Sequence, residues 1–190
     1  MENTEAKKEK KKGITEKIEV PEKVEVRIEN GTFFVKGPKG ETSKILSSPR
    51  VQIKKEGNSI IIHSEKESKR DKTMVYSFVS HIKNLFLGVQ ELYIYKLRVC
   101  SSHFPIKAAV SGKDFVISNF LGERKARKTP LYPEVKVTVD GNTIIVEGVN
   151  KEKVSQQAAN IERICFIKNR DRRVFQDGAY IFEKAGKSIM

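Results

Sequence analysis

The sequence predicts an α+β fold made of two tandem duplicated domains, each an antiparallel sheet packed against one main helix. Three repeated features support this prediction. A Gly-Asn turn between apolar residues occurs at 56–62 (EGNSIII) and again at 140–146 (DGNTIIV). A glycine loop at 35–41 (VKGPKGE) returns more faintly at 117–123 (ISNFLGE). An apolar helical stripe occurs twice with the same spacing, at Val75, Val79, Ile82 and Phe86 and at Val154, Ala158, Ile161 and Cys165.

The repeat divides the 190 residues into two small domains, which we place at residues 14–93 and 94–190. Residues 1–13 precede them and contain five Lys and three Glu with almost no apolar side chain. A segment of this composition cannot bury enough surface to offset the entropy of ordering. We therefore predict a disordered basic tail.

In the first copy, alternating apolar and charged residues predict strands at 24–28 and 32–36, joined by an Asn30-Gly31 hairpin turn. A second turn at 37–40 leads into a strand at 42–46. Strands at 51–55 and 59–63 follow as a hairpin about Gly57-Asn58. A helix then extends to about Phe86, and Gly88 is predicted to stop it.

In the second copy, residues 92–99 are predicted to be an extended segment that links the two domains. Strands are expected near 106–110, 114–118, 135–140 and 143–147, and a helix from 151 to about 166. The segment 167–187 has no counterpart in the first copy. It is predicted to contain a turn at Asp177-Gly178.

The charge of the chain is strongly positive and unevenly distributed. There are 37 Lys and Arg against 24 Asp and Glu, a net charge of +13, and residues 94–190 hold 18 of these cations against 10 of the acids. Such an excess attracts nucleic acids, membranes or acidic proteins. The membrane is disfavoured because no apolar run approaches the roughly 18 residues of a spanning helix. Since no apolar segment follows the initial charges, we expect no secretory signal and a cytosolic protein.

Metal binding and catalysis are both disfavoured by the sequence. Cys100 and His103 have the C-x-x-H spacing of two zinc ligands, but a structural zinc site usually needs four, and Cys165 lies on the apolar stripe. His63, His81 and His103 are scattered, with no nucleophile or carboxylate pair beside them. We expect no metal, no cofactor, no small-molecule substrate and no enzymatic activity.

Two basic runs in the second copy predict a nucleic-acid surface. One contains Arg124, Lys125, Arg127 and Lys128, and the other contains Lys168, Asn169, Arg170, Arg172 and Arg173. Phe175 and Tyr180 follow the second run and could stack on bases or pack beneath the loop. One such run alone is most simply a solvated loop. Two runs in one copy, together with Lys96 and Arg98, favour a shared RNA-binding face over two unrelated patches.

A G-x-x-G sequence at Gly37 to Gly40 has the spacing of a KH-domain clamp. That clamp lies between two helices, whereas the flanking residues here have the alternation of strands. A hairpin turn is the better interpretation. Lys39 at its tip remains a candidate phosphate contact.

Several segments together resemble the universal large-subunit ribosomal protein six family, whose eukaryotic form is called protein nine. They are 95–106 (YKLRVCSSHFPI), 117–123 (ISNFLGE), 36–40 (KGPKG) and 168–180 (KNRDRRVFQDGAY). The resemblance extends over residues 14–187 and is closer to the eukaryotic and archaeal branch than to the bacterial one. It implies two tandem α+β domains descended from a duplication, in agreement with the repeat.

The resemblance also implies a function as a structural constituent of the cytosolic large ribosomal subunit. Its partners would be large-subunit ribosomal RNA near the factor-binding centre and the sarcin-ricin loop, neighbouring ribosomal proteins, and translation factors nearby. Carried over by position, the RNA contacts would be Lys96, Arg98, Asn119, Phe120, Leu121, Gly122, Arg124, Lys168, Asn169, Arg170, Arg172, Arg173, Asp177, Gly178 and Tyr180. The chain departs from the family in having no Trp before the first helix and a longer Lys-rich start.

Two other functions remain open from the sequence. An RNA-binding module outside the ribosome would share the basic face without belonging to the subunit. An RNA-modifying or hydrolytic enzyme would need a catalytic group that the sequence does not offer.

Overall fold

A computed structural model describes residues 13–102, 104–171 and 173–189 of the chain. The predicted tail at 1–13 therefore lies, apart from Gly13, outside the described residues. The chain divides into two compact units, Met1–Phe86 and Leu87–Met190. This division falls inside a helix, whereas the sequence placed the domain boundary between residues 93 and 94.

The first unit contains six strands in two antiparallel sheets. The strands are β1 (Ile14–Glu19), β2 (Glu25–Glu29), β3 (Thr32–Gly37), β4 (Gly40–Ile45), β5 (Val51–Glu56) and β6 (Ser59–Ser64). One sheet has the order β1-β6-β5 and the other the order β2-β3-β4. The predicted hairpins about Asn30-Gly31 and Gly57-Asn58 are confirmed. Strand β1 was missed because only Ile14 and Ile18 are apolar in its six residues.

Helix α1 (Lys69–Gln90) follows these strands and buries the predicted stripe. Val75, Val79, Ile82 and Phe86 are each no more than 9% exposed. The i, i+4, i+7 spacing places them on one face of the helix, so the hydrophobic effect favours the helical register that buries all four.

The prediction that Gly88 ends the first helix is wrong, because the helix continues to Gln90. A Cβ at Gly88 would lie 2.1 Å from the carbonyl oxygen of Val149 and 2.9 Å from the ring of Tyr93. Glycine is therefore needed at this position for the close approach of another backbone rather than for a helix stop. Nothing in the sequence distinguishes the two uses.

The second unit contains the remaining strands, one helix and a 3₁₀ turn. The elements are β7 (Tyr93–Cys100), β8 (Lys107–Ser111), β9 (Asp114–Ser118), the 3₁₀ turn Phe120–Gly122, β10 (Arg127–Pro130), β11 (Val135–Asp140), β12 (Thr143–Gly148), α2 (Lys151–Ile164), β13 (Gly178–Lys184) and β14 (Lys187–Ser188). They form a three-stranded sheet β10-β9-β8 and a five-stranded sheet β11-β12-β7-β13-β14, both antiparallel.

Strand pairing confirms the duplication. The order β1-β6-β5 corresponds to β7-β12-β11, and β2-β3-β4 corresponds to β8-β9-β10, with one helix after each set. The predicted α+β fold is thus observed. We predicted that the segment 92–99 links the two domains, and this is wrong. The segment instead contributes β7, the central strand of the five-stranded sheet. Its alternation buries Tyr95, Leu97 and Val99 in the core of the second unit.

The predicted turn at Asp177-Gly178 is also corrected. Gly178 begins β13, which pairs antiparallel with β7 and extends the sheet beyond the repeat. Asp177 is 1% exposed, and its carboxylate accepts hydrogen bonds from the backbone N–H and the hydroxyl of Ser102. A partner this distant along the chain is invisible to local sequence patterns.

The described helices lack the features of membrane-spanning segments. Among the described residues, neither α1 nor α2 combines the length and the apolar character that crossing a bilayer requires.

Replacing Gly88 by Ala tests the close approach at the end of α1. Helix propensity alone predicts a gain of about 1 kcal/mol. A methyl group 2.1 Å from the Val149 oxygen instead overpacks the site, which typically costs about 1–3 kcal/mol. We expect a lower melting temperature by circular dichroism. Ser77→Ala, exposed on the same helix, should leave it unchanged or slightly raised. A more stable Gly88→Ala protein would contradict this assignment.

Candidate nucleic-acid interface

Two segments of the second unit meet around a cleft rich in cations. The cleft has a volume of about 480 Å³, and we call it the basic cleft. It is lined by Leu121, Glu123, Arg127, Arg163, Ile164, Phe166, Ile167, Lys168 and Arg170. A neighbouring concavity shares Glu123, Arg127 and Ile164 and adds Lys125 and Lys128. Members of both basic runs therefore come together, namely Lys125, Arg127 and Lys128 of one and Lys168 and Arg170 of the other.

Arg127 joins the two segments. From β10 its guanidinium donates to the carbonyl oxygen of Ile164 (2.7 Å), the last residue of helix α2, and to that of Phe166 (3.2 Å), just after the helix. Through Nε (2.9 Å) and Nη2 it also donates to the carboxylate of Glu123. A cation at a helix C-terminus is favoured both by the unpaired carbonyls and by the helix dipole. Arg127 is thus a bracket that holds the loop before β10 against the end of α2.

The electrostatics of Glu123 and Arg127 reflect this arrangement. Hydrogen bonds from Arg127 lower the pKa of the Glu123 carboxyl below its usual range. The same bonds raise the pKa of Arg127. Both groups stay charged at neutral pH, and the Glu123 carboxylate neutralises the positive charge of Arg127. The remaining cations of the cleft, Arg163, Lys168 and Arg170, keep their net charge available for a ligand.

The loop between β9 and β10 has a constrained backbone. Asn119 (φ 59°), Leu121 (φ 51°) and Gly122 (φ 78°) all have left-handed conformations. The Asn119 side-chain amide donates to the carbonyl oxygen of Pro105 at 3.0 Å. Phe120 is 1% exposed, and the Arg127 guanidinium lies 4.2 Å from its ring centroid. Phe120 therefore anchors the loop in the core and does not reach the surface as a contact.

The second basic segment is exposed. Lys168, Asn169, Arg170 and Arg173 are all solvent-accessible, and Asn169 has a left-handed φ of 58°. The Arg170 guanidinium lies 4.7 Å from the ring centroid of Phe175. The backbone N–H and the guanidinium of Arg173 donate to Asp171, which lowers the pKa of that carboxyl. Arg172 lies outside the described residues.

The cations of β7 lie elsewhere. Lys96 and Arg98 alternate with the buried Leu97, so they point to the face of the sheet opposite the core. Lys96 forms an ion pair with Glu183 at 2.9 Å, and Arg98 stands 5.4 Å from the ring centroid of Phe182. Neither Lys96 nor Arg98 is among the described residues that line the basic cleft. Lys96 and Arg98 thus lie apart from the members of the two runs that line the basic cleft and the neighbouring concavity. That all these cations share one RNA-binding face stays a prediction.

Three other predicted contacts hold the structure around the site. The Asp177 carboxylate accepts its hydrogen bonds from Ser102, and Gly178 is buried. A Cβ at Gly178 would lie 3.1 Å from the phenol of Tyr180. The Tyr180 hydroxyl donates to the carbonyl oxygen of Gln176 at 3.1 Å. These groups fix the return of the chain from the basic segment into β13.

Lys39 belongs to the first unit, at the exposed turn between β3 and β4. Gly37 and Gly40 are paired across that turn, so the hairpin interpretation of G-x-x-G is confirmed. Among the described residues no three His, Cys, Asp or Glu side chains are grouped in a way that could hold a metal ion. Cys165 is buried, which raises its thiol pKa to about 11.

Four residues that line the cleft were not predicted as site residues, namely Arg163, Ile164, Phe166 and Ile167. Arg163 lies in the last turn of α2, and Phe166 follows that helix with half of its side chain exposed. An arginine next to a basic loop, and an aromatic residue outside the apolar stripe, were available signals. We had assigned both positions to a helix packed on the sheet.

The structure defines a duplicated α+β protein whose second copy carries a cationic cleft. Two stretches of the chain, residues 20–92 and 104–178, match the family model described as Ribosomal protein L6, and the chain belongs to this family. The two matches follow the duplication, with one for each copy.

Similar proteins named Large ribosomal subunit protein uL6 come from archaea. The protein of Methanocella arvoryzae is 46% identical over 169 residues, covering 88% of this chain and 96% of its own length. The Methanosarcina mazei protein is 44% identical over 92% of this chain and 99% of its own length. That of Aeropyrum pernix is 45% identical over 90% and 94%, respectively. The family resemblance inferred from the sequence is therefore confirmed.

Replacing Glu123 by Gln tests the bracket through its pH dependence. Because the folded-state pKa of Glu123 is lowered from its ordinary value of 4.5, its stabilising contribution is present above pH 4.5 and is lost as the pH falls through the folded value. The variant should melt below wild type at pH 7, and the gap should close as the pH falls below the lowered folded-state pKa of Glu123. Thermal unfolding between pH 7 and 3 measures this.

The control for this experiment is Glu134→Gln, which removes an exposed partner of Lys153. Such pairs contribute less than about 1 kcal/mol. A gap between wild type and Glu123→Gln that stays constant down to pH 3 would show that the charge of Glu123 contributes nothing.

Proposed function

We propose that this protein is a structural constituent of the large ribosomal subunit and binds ribosomal RNA through the basic cleft and its flanking loops. Three findings support this: the family, the name that the archaeal relatives carry, and the cations of the second unit. The observation that carries most weight is the convergence of two basic segments, distant in sequence, on one cleft. Unrelated solvated loops would have no reason to meet.

The physical basis of the proposal is phosphate neutralisation by cations held at fixed separations. Closely spaced phosphates release condensed counterions when a protein cation approaches, so affinity grows with the number of contacts. The antiparallel sheets and the Arg127 bracket position the loops before RNA arrives. Less conformational entropy is then lost on binding than with flexible basic tails.

Burial separates direct contacts from supporting groups in the predicted site. The exposed donors proposed to touch RNA at the cleft and its loops are Arg124, Lys125, Arg163, Lys168, Asn169, Arg170 and Arg173. Arg98, exposed on β7 and outside the cleft, is proposed as a separate contact. Leu121, Gly122, Tyr180 and Lys39 are accessible and remain in the proposal, as does Arg172 on the family resemblance. Three predicted residues are buried, namely Phe120, Asp177 and Gly178. The guanidinium of Arg127 is hydrogen-bonded within the protein, and Lys96 forms an ion pair. These five are proposed to position the loops.

The family resemblance extends the proposal to a location. We infer that the cleft faces large-subunit RNA near the sarcin-ricin loop, beside the factor-binding centre, with ribosomal proteins and translation factors as neighbours. The protein would then work in the cytoplasm, on the ribosome, without catalytic activity. A coherent basic face on a folded scaffold supports this location, since crowded RNA helices need cations there.

Sedimentation of a cell lysate tests membership in the subunit. We expect the protein to migrate with the large subunit, to remain there after a high-salt wash, and to shift to light fractions after ribonuclease treatment. An established large-subunit protein on the same gradient serves as the control. Release of this protein alone by the high-salt wash would favour an RNA-binding module outside the ribosome.

Replacing Lys168, Arg170 and Arg173 together by Gln tests the basic segment. Each lost contact with duplex-like phosphate should lower the slope of log K against log salt by up to about 0.9. RNA binding at several salt concentrations measures this slope. The matched control is the triple Gln variant of Lys107, Lys113 and Lys136, which are exposed in the same unit and do not line the cleft. An unchanged slope in the first variant would exclude the segment from the interface.

A further inference from the structure

The basic cleft combines two chemistries that phosphate binding alone does not require. Its cations, Arg163, Lys168 and Arg170, suit phosphate. Four apolar side chains line it as well, namely Leu121, Ile164, Phe166 and Ile167, and we call them the apolar floor. Leu121, Ile164 and Ile167 belong to the edge of the core, whereas Phe166 is 50% exposed. Phosphate has no apolar part to place against an exposed aromatic ring, so Phe166 fits a second kind of group on the ligand.

The dimensions of the cleft limit what that group can be. A volume of about 480 Å³ lies in the range of about 300–1,000 Å³ typical of sites for small ligands. Double-stranded RNA offers phosphates and 2′-hydroxyls on its surface but keeps its base faces stacked inside. Within an RNA, an unpaired nucleotide is the part that presents a flat apolar face and a phosphate together.

The backbone at Leu121 supports a built site at this position. A left-handed conformation is unfavourable for an L-residue, and leucine has no polar side chain to compensate. The buried Phe120 and the Asn119 hydrogen bond to Pro105 hold the strain on either side. Strain of this kind persists where the surrounding structure imposes it, and it is concentrated at functional sites. Here the residue with the strained backbone, Leu121, is one of those that line the cleft.

We propose that the basic cleft binds one unpaired nucleotide of an RNA, with its base on the apolar floor and its phosphates on the surrounding cations. The inference rests on the proposed RNA-binding function and adds the class of ligand. The base packs on Phe166 and Leu121. Arg163, Lys168 and Arg170 bind the phosphates on either side of it. An acidic peptide would satisfy these cations as well, but it has no flat face to match the aromatic floor.

Binding of two single-stranded probes tests this proposal on the full chain. One is a 12-nucleotide oligouridylate, and the other has the same length and charge with tetrahydrofuran in place of every base. Stacking of one base contributes about 1–3 kcal/mol. We therefore expect the oligouridylate to bind about 5- to 150-fold more tightly by fluorescence anisotropy. The salt slopes of the two probes should agree, because their phosphates are the same.

Two variants locate the base within the protein. Phe166→Ala should lose most of the preference for the oligouridylate while keeping the salt slope, and Phe166→Leu should keep part of it. The backbone oxygen that Arg127 uses is unchanged in both. Val174→Ala is the matched control, since Val174 is 63% exposed and does not line the cleft. Circular dichroism establishes that each variant is folded.

The outcomes separate this inference from the function on which it rests. Equal binding of both probes, or an unchanged preference in Phe166→Ala, would overturn the nucleotide site and leave phosphate binding intact. Competition by poly-glutamate as strong as that by oligouridylate would indicate an acidic polypeptide instead. Failure to bind either probe, together with absence from the large subunit on gradients, would overturn the proposed function itself.

Discussion

The bracket formed by Arg127 is the interaction on which the candidate site depends. One guanidinium contacts the last carbonyl oxygens of α2, the carboxylate of Glu123 and the ring of Phe120. Arginine alone can do this, because its planar fork presents several donors in fixed directions and keeps its charge at any physiological pH. Lysine would satisfy one or two of these partners. Without the bracket, nothing would fix the loop before β10 relative to the segment after α2, and their cations would not be held at defined separations.

The second constraint is the duplication itself. Both copies build the same pair of sheets from the same strand order, and both bury a helical stripe of the same spacing. The copies differ where the chain continues past the second helix. There it returns to the sheet as β13, held at its start by the Ser102 contacts to Asp177. The basic segment is thus tethered at both ends, by Arg127 before it and by β13 after it, which converts a charged loop into an exposed but positioned surface.

Charge and shape contribute differently to the proposed interface. The positive excess of the second copy attracts RNA at long range and raises affinity with each phosphate contact, but it carries no information about which RNA is bound. The apolar floor beside those cations is where a particular RNA conformation can be preferred over another. A cleft with both properties favours RNA that exposes an unpaired nucleotide, so specificity would come from RNA shape rather than from a sequence read base by base.

The sequence by itself determined the fold class, the duplication, most strands and the location of the basic runs. These properties depend on local periodicity and composition, which are written in adjacent residues. Only the tertiary structure decided the roles of individual residues. Arg127 looks like any other cation of its run until the end of α2 lies beside it, and Gly88 looks like a helix stop until Val149 approaches its backbone. The strands β7 and β13 pair although many residues separate them along the chain. This pairing shows that β7 is part of a sheet rather than a linker, and it places Asp177 in a buried position at the start of β13. The physical reason is that contacts between distant segments depend on packing in three dimensions, of which a single local pattern contains no record.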